Sequence, residues 1–146
     1  MAIDRAALLA GNDPRARECG LALLRIILGV VFFAHGYIKF FKMGMDGVVG
    51  FFTSLGIPSP AVAAWCVTML EMVGGLALIL GIFTPVLGVL FAIEMAGVIF
   101  FAKRGQGFFG PKGYEFELTL LFASLAVALA GPGAAALQNV FRRRAR

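Results

Sequence analysis

Uncharged apolar runs alternate along this chain with short polar or glycine-rich breaks, and the runs have the length of membrane spans. Residues 47–70, 72–93 and 118–141 contain no Asp, Glu, Lys or Arg, and about 18 or more apolar residues in succession can cross a bilayer as a helix. The breaks divide the chain into four predicted spans, about 20–41, 60–80, 85–102 and 114–130. Between the first two, KMGMDGVVGFFTSLGIPSP (42–60) carries glycines, Asp46 and prolines that break a helix. Its GFFTSLGIP portion is apolar enough to lie in the interface or pack back against the spans in an ordered form. Ser59 before Pro60 reads as a cap followed by a first-turn proline, Thr84 and Pro85 repeat that start, and Gly81 and the Gly131-Pro132-Gly133 triplet read as stops. The expected fold is all-α: a polytopic four-transmembrane-helix bundle with both termini on the same side. It comprises a polar cytoplasmic segment at 1–19, a membrane domain at 20–133 and a basic tail at 134–146.

Composition identifies the solvent. With 60% hydrophobic and 14% charged residues, the chain suits lipid rather than water. Part of its net charge of +5 comes from the RRRAR tail, Arg142 to Arg146. On a membrane protein such a tail reads as an anchor on anionic headgroups, not as a nucleic-acid contact. Seven arginines flank the termini (Arg5, Arg15, Arg17, Arg142, Arg143, Arg144, Arg146), against Lys42, Lys103, Arg104 and Lys112 on the loops. The positive-inside rule then puts both termini in the cytoplasm of a bacterial-type plasma (inner) membrane. No small-x-small cleavage site follows the polar N-terminal stretch, so the first span is expected to persist. Cys19 and Cys66, with no C-x-x-C, argue against thiol-disulfide chemistry. An echo between LGVVF (28–32) and LGVLF (87–91) is too short, in so biased a composition, to establish a repeat.

The candidate chemistry lies in the polar residues that lipid does not tolerate. Ionisable side chains at membrane depth face the bundle interior or snorkel to an interface. At about 100° per residue, Gly29, Phe32, Gly36 and Lys39 fall within about 40° of Arg25, and His35 lies toward the same side. The first span therefore has a polar stripe smoothed by glycines, which permits close helix contact. Arg25 is near the cytoplasmic end and within snorkelling reach of phosphate. Glu71 and Glu94 sit near the middle of the second and third spans, and Tyr114, Glu115 and Glu117 begin the fourth. The expected site is a polar cavity in the outer half of the bundle. His35 and Glu71 are its proton-exchanging, candidate catalytic groups, and His35, Lys39, Glu71, Glu94, Tyr114 and Glu115 line it. The competing reading pairs Glu71 with Lys39 or His35 and gives the charges a purely structural task. One histidine cannot supply two axial haem ligands, and no Glu-x-x-His pair exists for a di-iron bundle, so no metal site is expected.

The ordered series RIILGVVFFAHGYIK (25–39), FFTSLGIP (51–58), EMVGGLALILGIFTP (71–85), FFGPKGYE (108–115) and GPG (131–133) resembles the DoxX family of membrane proteins. The resemblance marks Arg25, Gly29, His35, Gly36, Lys39, Glu71, Gly74, Gly75, Gly81, Tyr114 and Glu115 as motif positions, and leaves Glu94 and Glu117 outside the pattern. It implies a four-helix membrane bundle and a quinone-linked membrane subunit of an oxidoreductase, of the thiosulfate:quinone type. A quinone would then be the non-covalent cofactor, and a redox subunit or a second copy the partner within the lipid bilayer. The alternative is a non-catalytic membrane scaffold or a small-molecule carrier.

Overall fold

The computed structural model describes residues 13–139; Arg5, the 1–12 segment and the Arg142–Arg146 tail lie outside the described residues. All regular structure among the described residues is helical, the form in which an apolar segment satisfies its own backbone in lipid. Helix α1 (Pro14–Tyr37) starts where the Asp13 carboxylate accepts from the amides of Arg15 and Ala16, at 2.8 and 3.0 Å, with Pro14 in the first turn. It runs on into a π-helical turn, Ile38–Met43, and stops at Gly44, whose φ is +71°. The helix thus begins well before residue 20, because Asp13 and Pro14 form a start signal inside the segment expected to be a polar extension.

The remaining helices are α2 (Met45–Ser54), α3 (Pro60–Met69), a π-helical turn at Leu70–Gly74, α4 (Gly75–Leu80), α5 (Thr84–Phe101) and α6 (Glu115–Ala130). Three stretches, Pro14–Met43, Pro60–Leu80 and Thr84–Phe101, are long and apolar enough to cross a membrane, whereas α6 has 16 residues. The linker expected to be helix-breaking holds α2, because Val48 and Phe52, one turn apart, are buried against Ala64 of α3. Ser59 stands at the α3 cap position in a left-handed backbone, without an accepting side-chain hydrogen bond. Phe83, not Thr84, caps α5, and Thr84 is its fully buried first residue.

The packing is the inverse of a water-soluble protein. Leu23, Ile27, Val30, Val62, Val73, Ile93 and Leu129 are exposed, while Arg25, Glu71 and Glu94 are buried, as expected where lipid covers the outside. Helix α1 packs along the Leu70–Leu80 stretch, α5 packs along α6, and α1 also touches α6. The first seam is close because Gly29 faces the Gly75 carbonyl and Gly36 faces the Met72 amide; a Cβ added to either glycine would lie 2.7 Å from those atoms. Gly88 has the same relation to the Ser124 carbonyl across the α5/α6 seam. At the centre the rings of Phe32 and Phe91 stack, 3.8 Å between centroids and 12° from parallel. The two echoed pentapeptides therefore hold matching places: each gives a glycine to a seam and its phenylalanine to the shared core.

Arg25 does not snorkel. It is fully buried, and its guanidinium donates to the carbonyls of Leu78 (2.9 Å), Ile79 (2.8 Å), Ala135 (3.4 Å) and Ala134 (3.5 Å). The first two belong to the last turn of α4, where carbonyls lack helical partners; the others lie beyond the Gly131-Pro132-Gly133 break, in the stretch expected to begin the basic tail. That stretch is also held by the Ala134 amide on the Glu18 carbonyl (3.0 Å) and the Gln138 amide on the Gly81 carbonyl (3.2 Å). Arg25→Lys should lower the melting temperature in detergent despite keeping the charge, because one ammonium cannot bridge two separated carbonyl pairs. Gly75→Ala should cost about 1–3 kcal/mol through overpacking, whereas Gly20→Ala, with nothing within 4 Å of the added methyl, should be near neutral. Circular dichroism melts of the three variants would check both expectations.

Candidate functional site

A cavity of about 420 Å³ opens inside the bundle, toward the end away from the described termini. Phe32, Phe52, Met95, Val98 and Leu120 supply apolar wall, and α2 with the following Leu55 and Ile57 covers it. Six ionisable side chains reach the same space: His35, Lys39, Glu71, Glu94, Lys103 and Glu117. A mostly apolar pocket with a few convergent polar groups is the usual form of a small-molecule site.

Local backbone explains how the first ion pair forms. Lys39 lies in the π-helical turn that ends α1, and Glu71 lies in the second π-helical turn. Such turns insert an extra residue into a helix and occur frequently at functional sites. The Gly36 contact with Met72 brings these turns together, and Lys39 Nζ donates to Glu71 Oε2 at 2.5 Å. Glu71 is 3% exposed and Lys39 20%. A second pair joins Lys103 Nζ to Glu117 Oε1 at 3.2 Å, with Lys103 also donating to the Gly113 carbonyl at 3.1 Å.

The remaining two groups are not paired in this way. His35 Nδ1 lies 2.8 Å from the Val31 carbonyl; a carbonyl only accepts, so Nδ1 carries the hydrogen and Nε2 of the neutral ring is the basic nitrogen. His35 is exposed at the edge of the cavity, with its ring 6.2 Å from that of Phe116. Glu94 is 8% exposed and within electrostatic reach of Glu71 and Lys39; its carboxyl lies close enough to that of Glu71 for the two to hydrogen-bond through a shared proton, and no other group among the described residues donates to it. Glu71 and Glu117 each have an ammonium partner, and Glu94 is the cavity carboxyl that, among the described residues, lacks one.

The structure thus brings His35, Lys39, Glu71 and Glu94 into one cavity and keeps Tyr114 and Glu115 out of its lining. Tyr114 precedes α6 and packs edge-on against Phe108, 5.4 Å between centroids, and the Glu115 amide donates to the Phe108 carbonyl at 3.3 Å. Both fasten the 103–113 loop to the start of α6. Their neighbour Glu117 faces the cavity because it shares the buried stripe of Leu120, Ser124 and Val127. That stripe is the signal that could have selected Glu117 from its spacing; Lys103, on a basic loop, offered none.

The comparisons with known proteins agree with this architecture. The model of the DoxX family matches residues 20–104. The chain belongs to the DoxX family. The match takes in five of the six ionisable cavity residues and stops short of Glu117. Among its DoxX-type relatives, "Putative oxidoreductase CatD" of Bacillus subtilis is 40% identical over 114 residues, 78% of this chain and 81% of that protein. "Inner membrane protein YphA" of Escherichia coli is 33% identical over 131 residues, covering 85% and 91% of the two chains. An "Uncharacterized protein" of Haemophilus influenzae is 37% identical over 140 residues, covering 91% and 98%. No solved structure matches the chain.

The two partners of the central ion pair should respond differently to removal. Lys39→Met strands a carboxylate that is 3% exposed, and leaving one member of a buried pair uncompensated costs about 3 kcal/mol or more. Glu71→Gln leaves Lys39, whose partly exposed chain can turn toward the surface, and should cost less. Melting temperatures of both variants in one detergent would test the order.

Proposed function

We propose that this DoxX protein is a quinone-associated membrane subunit of a redox complex. In this reading α6 is a fourth span, both termini are cytoplasmic, and the membrane is the bacterial inner membrane. The observation that carries the proposal is the cavity, in which apolar walls surround two ion pairs, a basic imidazole nitrogen and a buried carboxyl, Glu94, that has no ammonium partner among the described residues. A ring with oxygen substituents and an apolar tail matches that combination, with the ring in the cavity and the tail toward lipid. The name of the Bacillus subtilis relative supports redox chemistry, and the name of the Escherichia coli relative supports the inner membrane.

His35 Nε2 and Glu71 are the groups that exchange protons with the bound ring, and Lys39 holds Glu71 in place for that task. Helix α6, at 16 residues, reaches about 24 Å and spans a bilayer that thins locally to meet it. A partner subunit supplies the second redox centre.

Purified protein in native nanodiscs should carry near-stoichiometric quinone, detected by mass spectrometry of extracted lipids. A Glu71→Gln, His35→Ala variant, shown to be folded by circular dichroism, should lose it. Absence of quinone from the unmodified protein would sink this reading and favour a scaffold or carrier.

A further inference from the structure

His35 occupies an unusual place for a titratable side chain in a membrane span. Its neighbour Gly36 lies against Met72, past the midpoint of the 21-residue Pro60–Leu80 stretch, so the imidazole sits deep within the span. At such depth ionisable groups face the bundle interior or a polar cavity, yet His35 is exposed. Among the described residues that line the cavity, only His35, Phe116 and Phe51 are exposed, and they mark where its wall is open. The cause is a mismatch between helix ends. Phe116 is the second residue of α6, and its ring lies 6.2 Å from that of His35, whereas the helix of His35 runs eight residues further, to Met43. Helix α6 therefore starts about two turns below the end of that helix and gives no wall above this level. Tyr37, Ile38 and Phe41 on those last turns are accordingly exposed. The end of the bundle, by contrast, is capped. Phe52 of α2 is buried over the cavity, and Lys103 holds the 103–113 loop down through Glu117 and the Gly113 carbonyl.

From this arrangement we infer that the cavity is entered sideways from the bilayer, through the gap between α1 and α6 flanked by His35 and Phe116, and that its ligand is a molecule dissolved in lipid, not a solute arriving from water. The inference rests on the proposed quinone site and adds the route by which the ring reaches it. A water-borne solute would have to pass the capped end, either breaking the Lys103 bonds or lifting Phe52. A ring carried on an apolar tail meets the gap while still in lipid. Its tail can stay among the acyl chains, and the imidazole is the first polar group it reaches, one turn from Lys39 and its ion pair with Glu71. Phe116 is the movable side of the gap, because an exposed ring on the first turn of α6 changes rotamer without any helix moving. It therefore sets the rate of passage and is not a contact of the bound ring.

The test uses the full chain in nanodiscs made from quinone-free lipid, loaded with deuterium-labelled decyl-benzoquinone and chased with the unlabelled compound. Release of the label and the equilibrium Kd are measured for the unmodified protein, Phe116→Ala and Phe51→Ala. Phe116→Ala should release the label about tenfold faster with Kd nearly unchanged, because a wider gap speeds entry and exit alike. Phe51→Ala should have the smaller effect on release. A benzoquinone sulfonate, with the same ring but excluded from the membrane, should not displace the label. Displacement by the sulfonate, or faster release from Phe51→Ala than from Phe116→Ala, would assign entry to the end under α2 and overturn the inference while leaving the site standing. Release from Phe116→Ala at the unmodified rate would do the same. So would a faster release matched by an equal loss of affinity, which would make Phe116 a contact of the bound ring. Failure of the decyl compound to bind would remove the proposed site and the inference together.

Discussion

The closeness of α1 to the Leu70–Leu80 stretch governs most of what surrounds it. Gly29 and Gly36 lie directly against backbone atoms of Gly75 and Met72, so no side chain separates the two helices at those levels. Lipid offers apolar helices little reason to associate, and small residues that allow backbone approach are the usual remedy. Here the approach also sets polar geometry at both ends of the seam. Toward the termini it carries Arg25 to the carbonyls that end α4, and toward the cavity it carries Lys39 to Glu71.

The buried charges then divide by how completely they are satisfied. Arg25 has four carbonyls, Lys39 has Glu71, and Lys103 has Glu117 and two loop carbonyls. These arrangements bind elements together: the last turn of α4 to the segment after α6, α1 to the second span, and the 103–113 loop to α6. Glu94 belongs to none of them, although it is equally deep. Its neighbour is another carboxyl, Glu71, rather than an ammonium, so its burial is not explained by an ion pair that ties these elements together.

The sequence made the helices legible because uncharged runs of spanning length have few other uses, and glycine and proline mark their ends. It was less informative where two signals overlapped. Asp13 and Pro14 were hidden in a polar stretch, and α2 in a linker whose glycines masked the Val48–Phe52 stripe. The meeting of His35, Lys39, Glu71 and Glu94 followed from depth and helical phase, which the sequence carries. What it did not carry was the pair of π-helical turns under Lys39 and Glu71, the inward turn of Arg25 and the reach of Lys103, all of which depend on tertiary contact. Tyr114 and Glu115 had the right depth on the last helix, but the cavity-facing stripe of that helix passes through Glu117.

The stacked phenylalanines relate the two helical hairpins as near equivalents. Leu28, Gly29 and Phe32 in one correspond to Leu87, Gly88 and Phe91 in the other. One turn further along, the corresponding positions are His35 and Glu94, both at the cavity. Two identical hairpins associating as separate chains would have to present the same side chain at both stations, and so either two imidazoles or two carboxyls. Joining the hairpins covalently removes that restriction. The peptide connection between the halves allows a nearly symmetric frame to hold chemically unlike groups on opposite sides of one small space.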